Sequence, residues 1–151
     1  TGTVTLGPND VAETALFSTT IPGRLLGNNG RLLGDVLCNS DSDGGANFTF
    51  RVKYGGTTYC SLINTPTGSA SMAAMVNFTL LNKSASDANE GWGRYGQQSV
   101  AGDALDFGSG TVDSTADQTL QLTGQWGGIA DPDRIMRVSY VDLFLVLPTS
   151  P

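Results

Sequence analysis

The sequence predicts an all-β fold: a single-domain antiparallel β-sandwich, read as a jelly roll, with few or no helices. Three observations carry that expectation. A chain of 151 residues is long enough for one hydrophobic core and too short for two. Apolar and polar residues alternate in segment after segment, and no stretch keeps an apolar 3.6-residue period over three turns. Between those segments lie many of the 20 glycines and 6 prolines, at the spacing of turns, in a chain whose charged fraction is only 15%.

Residues 1–10, TGTVTLGPND, read as an extended N-terminal segment and a candidate arm; the sandwich spans 11–148, and 149–151 form a short tail. Thr14 to Ile21 and Arg31 to Cys38 read as strands, separated by Pro22-Gly23 and Gly27-Asn28-Asn29-Gly30. From Asn47 to Tyr54 the alternation is cleanest, with Phe48, Phe50, Val52 and Tyr54 on one face. Gly55-Gly56 supplies the positive φ angles of a two-residue hairpin, and Thr57 to Leu62 is its returning strand. Ala73 to Leu81 and Thr119 to Trp126 are strands, and the Gly-, Ser- and Asp-rich residues 83–117 read as short strands and long loops. Eight to ten strands result, enough for a two-sheet sandwich.

The last strand, Ile135 to Leu147, is apolar on both faces in its second half. Strict alternation puts Met136, Val138, Tyr140, Phe144 and Val146 on one face and Val141, Leu143, Leu145 and Leu147 on the other. One face fills a core; the other needs a cover, and a second subunit is the expected one. Leu143, Phe144 and Leu145 are therefore candidate subunit contacts, with Phe17 a weaker one.

Composition excludes much chemistry. The net charge of −6 has the wrong sign for a phosphate-binding groove, so no nucleic acid is expected. Without histidine there is no Ser-His-Asp or Cys-His catalysis, and most zinc sites are ruled out. Val141 to Leu147 is too short to cross a bilayer, so no membrane partner is expected. Removal of an initiator Met would explain the small Thr1 and make the chain essentially a whole gene product; a cleaved leader is the other explanation. Cys38 and Cys60 belong to no metal-ligand pattern, and a disulfide or two buried free thiols both fit them.

Several motifs resemble sites. Gly91-Trp92-Gly93-Arg94-Tyr95-Gly96 matches G-x-G-x-x-G, but no βαβ context surrounds it, so it reads as a surface loop and no cofactor is expected. Trp92 and Tyr95, joined by Trp126, are candidates for stacking on sugar rings. Asp41-Ser42-Asp43-Gly44-Gly45 opens like a calcium loop but has Gly at the fifth position and Val52 at the twelfth, leaving a turn or a weak Ca²⁺ site at Asp41 and Asp43. Asp131-Pro132-Asp133 is a turn, and Asp103, Asp106 and Asp113 show no sign of a shared acid–base cleft. Asn47, Asn77 and Asn82 each begin an N-glycosylation triplet.

Leu16 to Pro22, Leu26-Gly27-Asn28-Asn29-Gly30-Arg31-Leu32, Phe50 to Thr58 and the closing Tyr140 to Val146 together resemble a pattern in small virion proteins of tailed bacteriophages. There a strand ending in Ile-Pro, a Gly-Asn-Gly turn, an alternating strand ending in Gly-Gly-Thr and an apolar last strand follow in this order. The resemblance implies a jelly roll, usually trimeric, serving as a capsid decoration (cement) protein or a tail-fibre module. Lacking a shaft or anchoring region, the chain is expected to be the former. It would then be a non-enzymatic homotrimer on the capsid exterior, assembled in the host cytoplasm, with the major capsid protein as its other partner. The alternatives are a glycan-binding tail-fibre tip using Trp92, Tyr95 and Trp126, and a secreted trimeric β-sandwich binding domain.

Overall fold

The computed structural model describes residues 5–6, 11–41, 47–64, 72–83, 87–97, 104–128 and 135–147. These form ten strands: β1 (Thr5–Leu6), β2 (Thr14–Ile21), β3 (Arg31–Asp41), β4 (Phe48–Tyr54), β5 (Thr57–Asn64), β6 (Met72–Asn82), β7 (Asn89–Gln97), β8 (Ala104–Gly110), β9 (Gln118–Trp126) and β10 (Ile135–Val146). They build a six-stranded sheet in the order β1-β10-β3-β6-β7-β8 and a four-stranded sheet in the order β2-β9-β4-β5. All neighbours are antiparallel, and the described residues contain no helix. The chain is an antiparallel β-sandwich. The glycine motif at 91–96, expected as a loop, lies inside strand β7.

Alternation explains the core. Phe48, Phe50, Val52 and Tyr54 of β4 point inward with Leu120, Leu122 and Trp126 of β9, and meet Leu32, Val36, Val76, Phe78 and Leu80 from the larger sheet. Phe48 and Trp126 pack edge to face with centroids 5.2 Å apart. The hairpin between β4 and β5 turns through Gly55 and Gly56, both at positive φ (55° and 81°), as their sequence predicts. At the other end of the order, Thr5–Leu6 pairs with Arg137 and Met136 of its own β10 and Leu6 is buried, so this part of the expected arm is docked on its own domain. Residues 1–4 and 7–10 lie outside the described residues.

The β7–β8 hairpin extends the larger sheet past β6 and folds over β5. It can approach so closely because its inner face is glycine. A Cβ on Gly91 would sit 2.7 Å from Tyr59 Cβ, one on Gly93 2.5 Å from Cys60 Sγ, and one on Gly108 2.6 Å from the Tyr59 carbonyl oxygen. The Asp106 carboxylate, on the same inner face, accepts the Ser61 N–H at 2.6 Å and so satisfies a donor on the edge of β5. The glycines that mimic a dinucleotide motif are packing glycines.

Strand β10 is not regular. Val138 pairs with Cys38 but Tyr140 pairs with Leu37, so Ser139 is an extra residue, a β-bulge, and its Oγ accepts a hydrogen bond from Asn39 Nδ2 at 2.6 Å. Met136 and Val138 face the core before the bulge; Val141, Leu143 and Leu145 pack against it after. Strict alternation through Ser139 therefore fails.

One end of the sandwich is held by buried amides. Asn82 Nδ2 donates to the Gly27 carbonyl and to Ser114 Oγ (3.0 Å); Asn89 Nδ2 donates to Asn82 Oδ1 (3.0 Å). Asn89 Oδ1 in turn accepts from Val112 N (2.9 Å) and Tyr59 OH (3.3 Å). Three connections and β5 are thus tied through two side chains. Gly93→Val is expected to lower stability by about 3 kcal/mol through overpacking against Cys60, while Gly128→Ala, with open space around it, should change it by less than about 0.5 kcal/mol. Urea unfolding of the two variants checks the pair of outcomes.

Candidate functional site

The two sheets present different outer faces. On the smaller sheet the outward residues are mostly polar, among them Thr49, Arg51, Lys53, Gln121, Thr123 and Gln125. Glu13 lies over them, accepting from Lys53 Nζ (3.0 Å) and Thr123 Oγ1 (2.7 Å), with Arg51 NH1 at 3.8 Å. The Thr123 hydroxyl, the Lys53 ammonium and the Arg51 guanidinium hold its carboxyl below the ordinary value of 4.5, against a smaller opposing effect of burial. This is a solvated sheet face.

The outer face of the larger sheet carries large apolar side chains with polar residues among them. Its register aligns residues in rows that cross β10, β3, β6, β7 and β8. One row reads Phe144, Leu33, Thr79, Trp92, Phe107; the next reads Asp142, Asp35, Asn77, Arg94, Leu105. Beyond them lie Tyr140, Leu37 and Met75 on one side and Val146, Arg31, Leu81 and Glu90 on the other. Leu105 is 72% exposed, Phe107 61%, Tyr140 54%, and Phe144 and Met75 50%. Contiguous exposed side chains of this size occur at protein–protein, membrane and ligand-binding sites. The polar row is ordered: Asn77 Nδ2 donates to Asp35 Oδ1 at 2.7 Å, and Tyr140 OH donates to Asp142.

The candidate residues from the sequence divide on this geometry. Phe144 lies on the exposed face, but Leu143 and Leu145 turn toward the core because the Ser139 bulge shifts the phase. Phe17 also packs against the core, paired with Leu122 after a bulge in β2. Leu143, Leu145 and Phe17 are thus partly buried side chains packed against the chain's own core, and of the four candidate contacts Phe144 alone is exposed. Of the proposed sugar-stacking aromatics, Trp92 is exposed, Trp126 is 1% exposed and belongs to the core, and the side chain of Tyr95 lies outside the described residues. Trp92 and Trp126 do not share a surface. Met75, Leu105, Phe107 and Tyr140 were not singled out as site residues; the alternation of Leu105 and Phe107 with small residues was the available signal.

Cys38 and Cys60 are free, buried thiols on strands of opposite sheets, each pushed up to about 12 by burial. Asp41 ends β3, whereas Asp43 and Asp131 to Asp133 lie outside the described residues. Asp103 does too; Asp106 binds Ser61 N, and Asp113 accepts from Thr115 N and Oγ1. Among the glycosylation triplets, Asn82 is buried in the amide cluster, Asn77 is bonded to Asp35, and Asn47 is exposed. A depression of about 290 Å³ lies beside the β6–β7 turn, lined by Lys83, Asp87, Glu90 and Thr111 among others, with Lys83 ion-paired to Glu90. Among the described residues no three His, Cys, Asp or Glu are placed to hold a metal ion, and no helix is long and apolar enough to cross a membrane.

No family model matches the chain, and no curated protein matches it significantly.

Two measurements follow from these environments. Both cysteines are expected to resist a maleimide at pH 8 in the native protein and to react fully in denaturant, read by mass spectrometry. Because Glu13 has a lowered folded-state pKa, the stability it contributes is present above about pH 4.5 and lost as pH falls through the folded value. Glu13→Gln should lower the melting temperature at pH 7 by an amount equivalent to less than about 1 kcal/mol, given its exposure, and the gap to wild type should narrow as the pH is taken below 4.5.

Proposed function

We propose that this chain is a non-enzymatic structural protein of a tailed-phage virion, a decoration (cement) protein that self-associates and binds the outside of the capsid. The observation that carries an assembly role is the group of exposed large side chains on the outer face of the larger sheet, Met75, Trp92, Leu105, Phe107, Tyr140 and Phe144.

Strand pairing supports the finer, jelly-roll reading. β1 pairs with β10, β2 with β9, β3 with β6 and β4 with β5, the nested set made when one long antiparallel ribbon is rolled into two sheets. β7 and β8 are then a hairpin inserted between the sixth and ninth strands. That architecture is shared by capsid proteins, lectins and cupins, so it accommodates surface recognition without by itself choosing a function. The resemblance to phage virion proteins supplies the capsid as partner and three as the number of copies.

Burial of apolar area is the mechanism. An interface of roughly 1,600 Å² has a large gross gain, most of it offset by the entropy of association, and repeated contacts over a lattice restore net affinity. A glycan-binding tip would require a cluster of stacking aromatics, and burial of Trp126 removes one of its three.

Gold-labelled antibody against this chain, imaged on particles from its source, is expected to decorate heads at regular density. Label restricted to tail tips, or absent from every particle, would overturn the decoration role.

A further inference from the structure

We propose that Asn29 is a site of spontaneous deamidation, and that its isoaspartyl product loosens the amide-held end of the sandwich. The inference stands on the connection between β2 and β3 alone and is independent of any partner or virion role.

The fold itself dictates the labile pair. Asn29 has a φ of 65° and is exposed. In that left-handed region glycine is the least strained residue, and asparagine is among the few others that enter it readily. Gly30 is dictated by close approach: it is buried, and a Cβ there would overlap the carbonyl oxygen of Leu26. The result is an asparagine followed by the one residue without a Cβ, a pair that occurs nowhere else in the chain. Every other asparagine precedes a residue whose side chain crowds its own amide carbon.

The reaction needs only these two residues and water. The main-chain nitrogen of Gly30 attacks Cγ of Asn29; the N–Cγ bond forms, the Cγ–Nδ2 bond breaks, and the amide nitrogen leaves as ammonia with the proton from Gly30 N. Water then opens the five-membered succinimide at either carbonyl. Opening at Cγ leaves aspartate, and opening at the main-chain carbonyl leaves isoaspartate, with the chain running through Cβ and Cγ. One water enters, one ammonia departs, and nothing is oxidised or reduced. Glycine leaves the path to Cγ unobstructed, and the exposure of Asn29 admits the water.

The two products act differently on the fold. Aspartate keeps the main chain as it is and adds a negative charge at an exposed position. Isoaspartate inserts a methylene between two carbonyls held by a single residue: Asn82 donates from Nδ2 to Gly27 O and from its main-chain N to Gly30 O (3.0 Å). The lengthened link no longer matches the fixed spacing of those two donors. Asn82 also donates to Ser114 Oγ and accepts from Asn89 Nδ2, all three residues being buried, so the mismatch passes into the cluster that ties this end together.

The test is prolonged incubation of the folded full chain in mildly alkaline buffer made with heavy-oxygen water, followed by peptide mapping. Reaction at Asn29 ahead of every other asparagine is expected, with one heavy oxygen gained per event and isoaspartate identified by an isoaspartyl methyltransferase. The isolated isoaspartyl form should unfold at lower urea, its folding constant reduced by at least about tenfold, whereas Asn29→Asp should stay within about threefold of wild type. Asn28→Ser combined with Asn29→Gly keeps the left-handed turn and should yield no acidic form from it. No reaction at Asn29 in the folded chain, a faster one at another asparagine, or a product without the heavy oxygen would overturn the site. An isoaspartyl form as stable as wild type would overturn its link to the Asn82 cluster.

Discussion

Asp35 and Asp142 stand directly opposite each other on neighbouring strands, and both must face water. Two carboxylates side by side in the core would each lose several kcal/mol of hydration with no counter-charge to offset it. That requirement sets the phase of β3 and of the second half of β10 together. With Asp142 outward, Val141, Leu143 and Leu145 must turn inward, and burial of such side chains adds about 1.5–3 kcal/mol each where it is complete. Met136 and Val138 must also turn inward, and they have the opposite parity. Only an extra residue reconciles the two halves. Ser139 is that residue, held by Asn39, and the exposure of Tyr140, Phe144 and Val146 follows from it.

The opposite flank of the same sheet is placed by an absence of side chains. Glycines at 91, 93 and 108 let the β7–β8 hairpin settle on Tyr59 and Cys60, and the Asp106 carboxylate fastens it to the edge of β5. Asn82 and Asn89 then join the start of that hairpin to the connections around Gly27 and Ser114. Inner-face glycine and outer-face Trp92, Leu105 and Phe107 are two halves of one arrangement. Large residues have room only on the outside, so close packing within the sandwich pushes aromatic surface outward.

Much of this was legible from alternation alone. Thr14–Ile21 was found to the residue, and the β4–β5 hairpin with its Gly55-Gly56 turn nearly so, because period-two patterns and paired glycines are local signals. The bulge was not legible, since it depends on which residue of the neighbouring strand stands opposite, and that pairing links residues about 100 apart in sequence. Hence strict alternation puts Leu143 and Leu145 on the face opposite Met136 and Val138, whereas the bulge turns all four toward the core. Trp126 was misread for a related reason: an aromatic at a strand end looks exposed until Phe48 is found packed on it. The β7 and β8 strands were hidden by glycines that are unfavourable in strands on propensity, and are required here by what lies beneath them.

The contrast between the outer faces bears on how such a surface would choose its partner. Apolar rows alone attract any apolar surface at any register, which leads to aggregation as readily as to assembly. A polar row through the middle changes this: any partner that covers the Asp35 and Asp142 carboxylates without a matching donor or charge must desolvate them without compensation. The hydrogen bond from Asn77 fixes Asp35 in place, so the charge cannot easily swing aside to suit a wrong neighbour. Affinity would then come from Phe144, Trp92 and Phe107, and register from the polar row beside them. The Glu13 cluster on the smaller sheet pairs its charges within the chain, so the two outer faces differ: one internally paired and polar, the other with large exposed side chains.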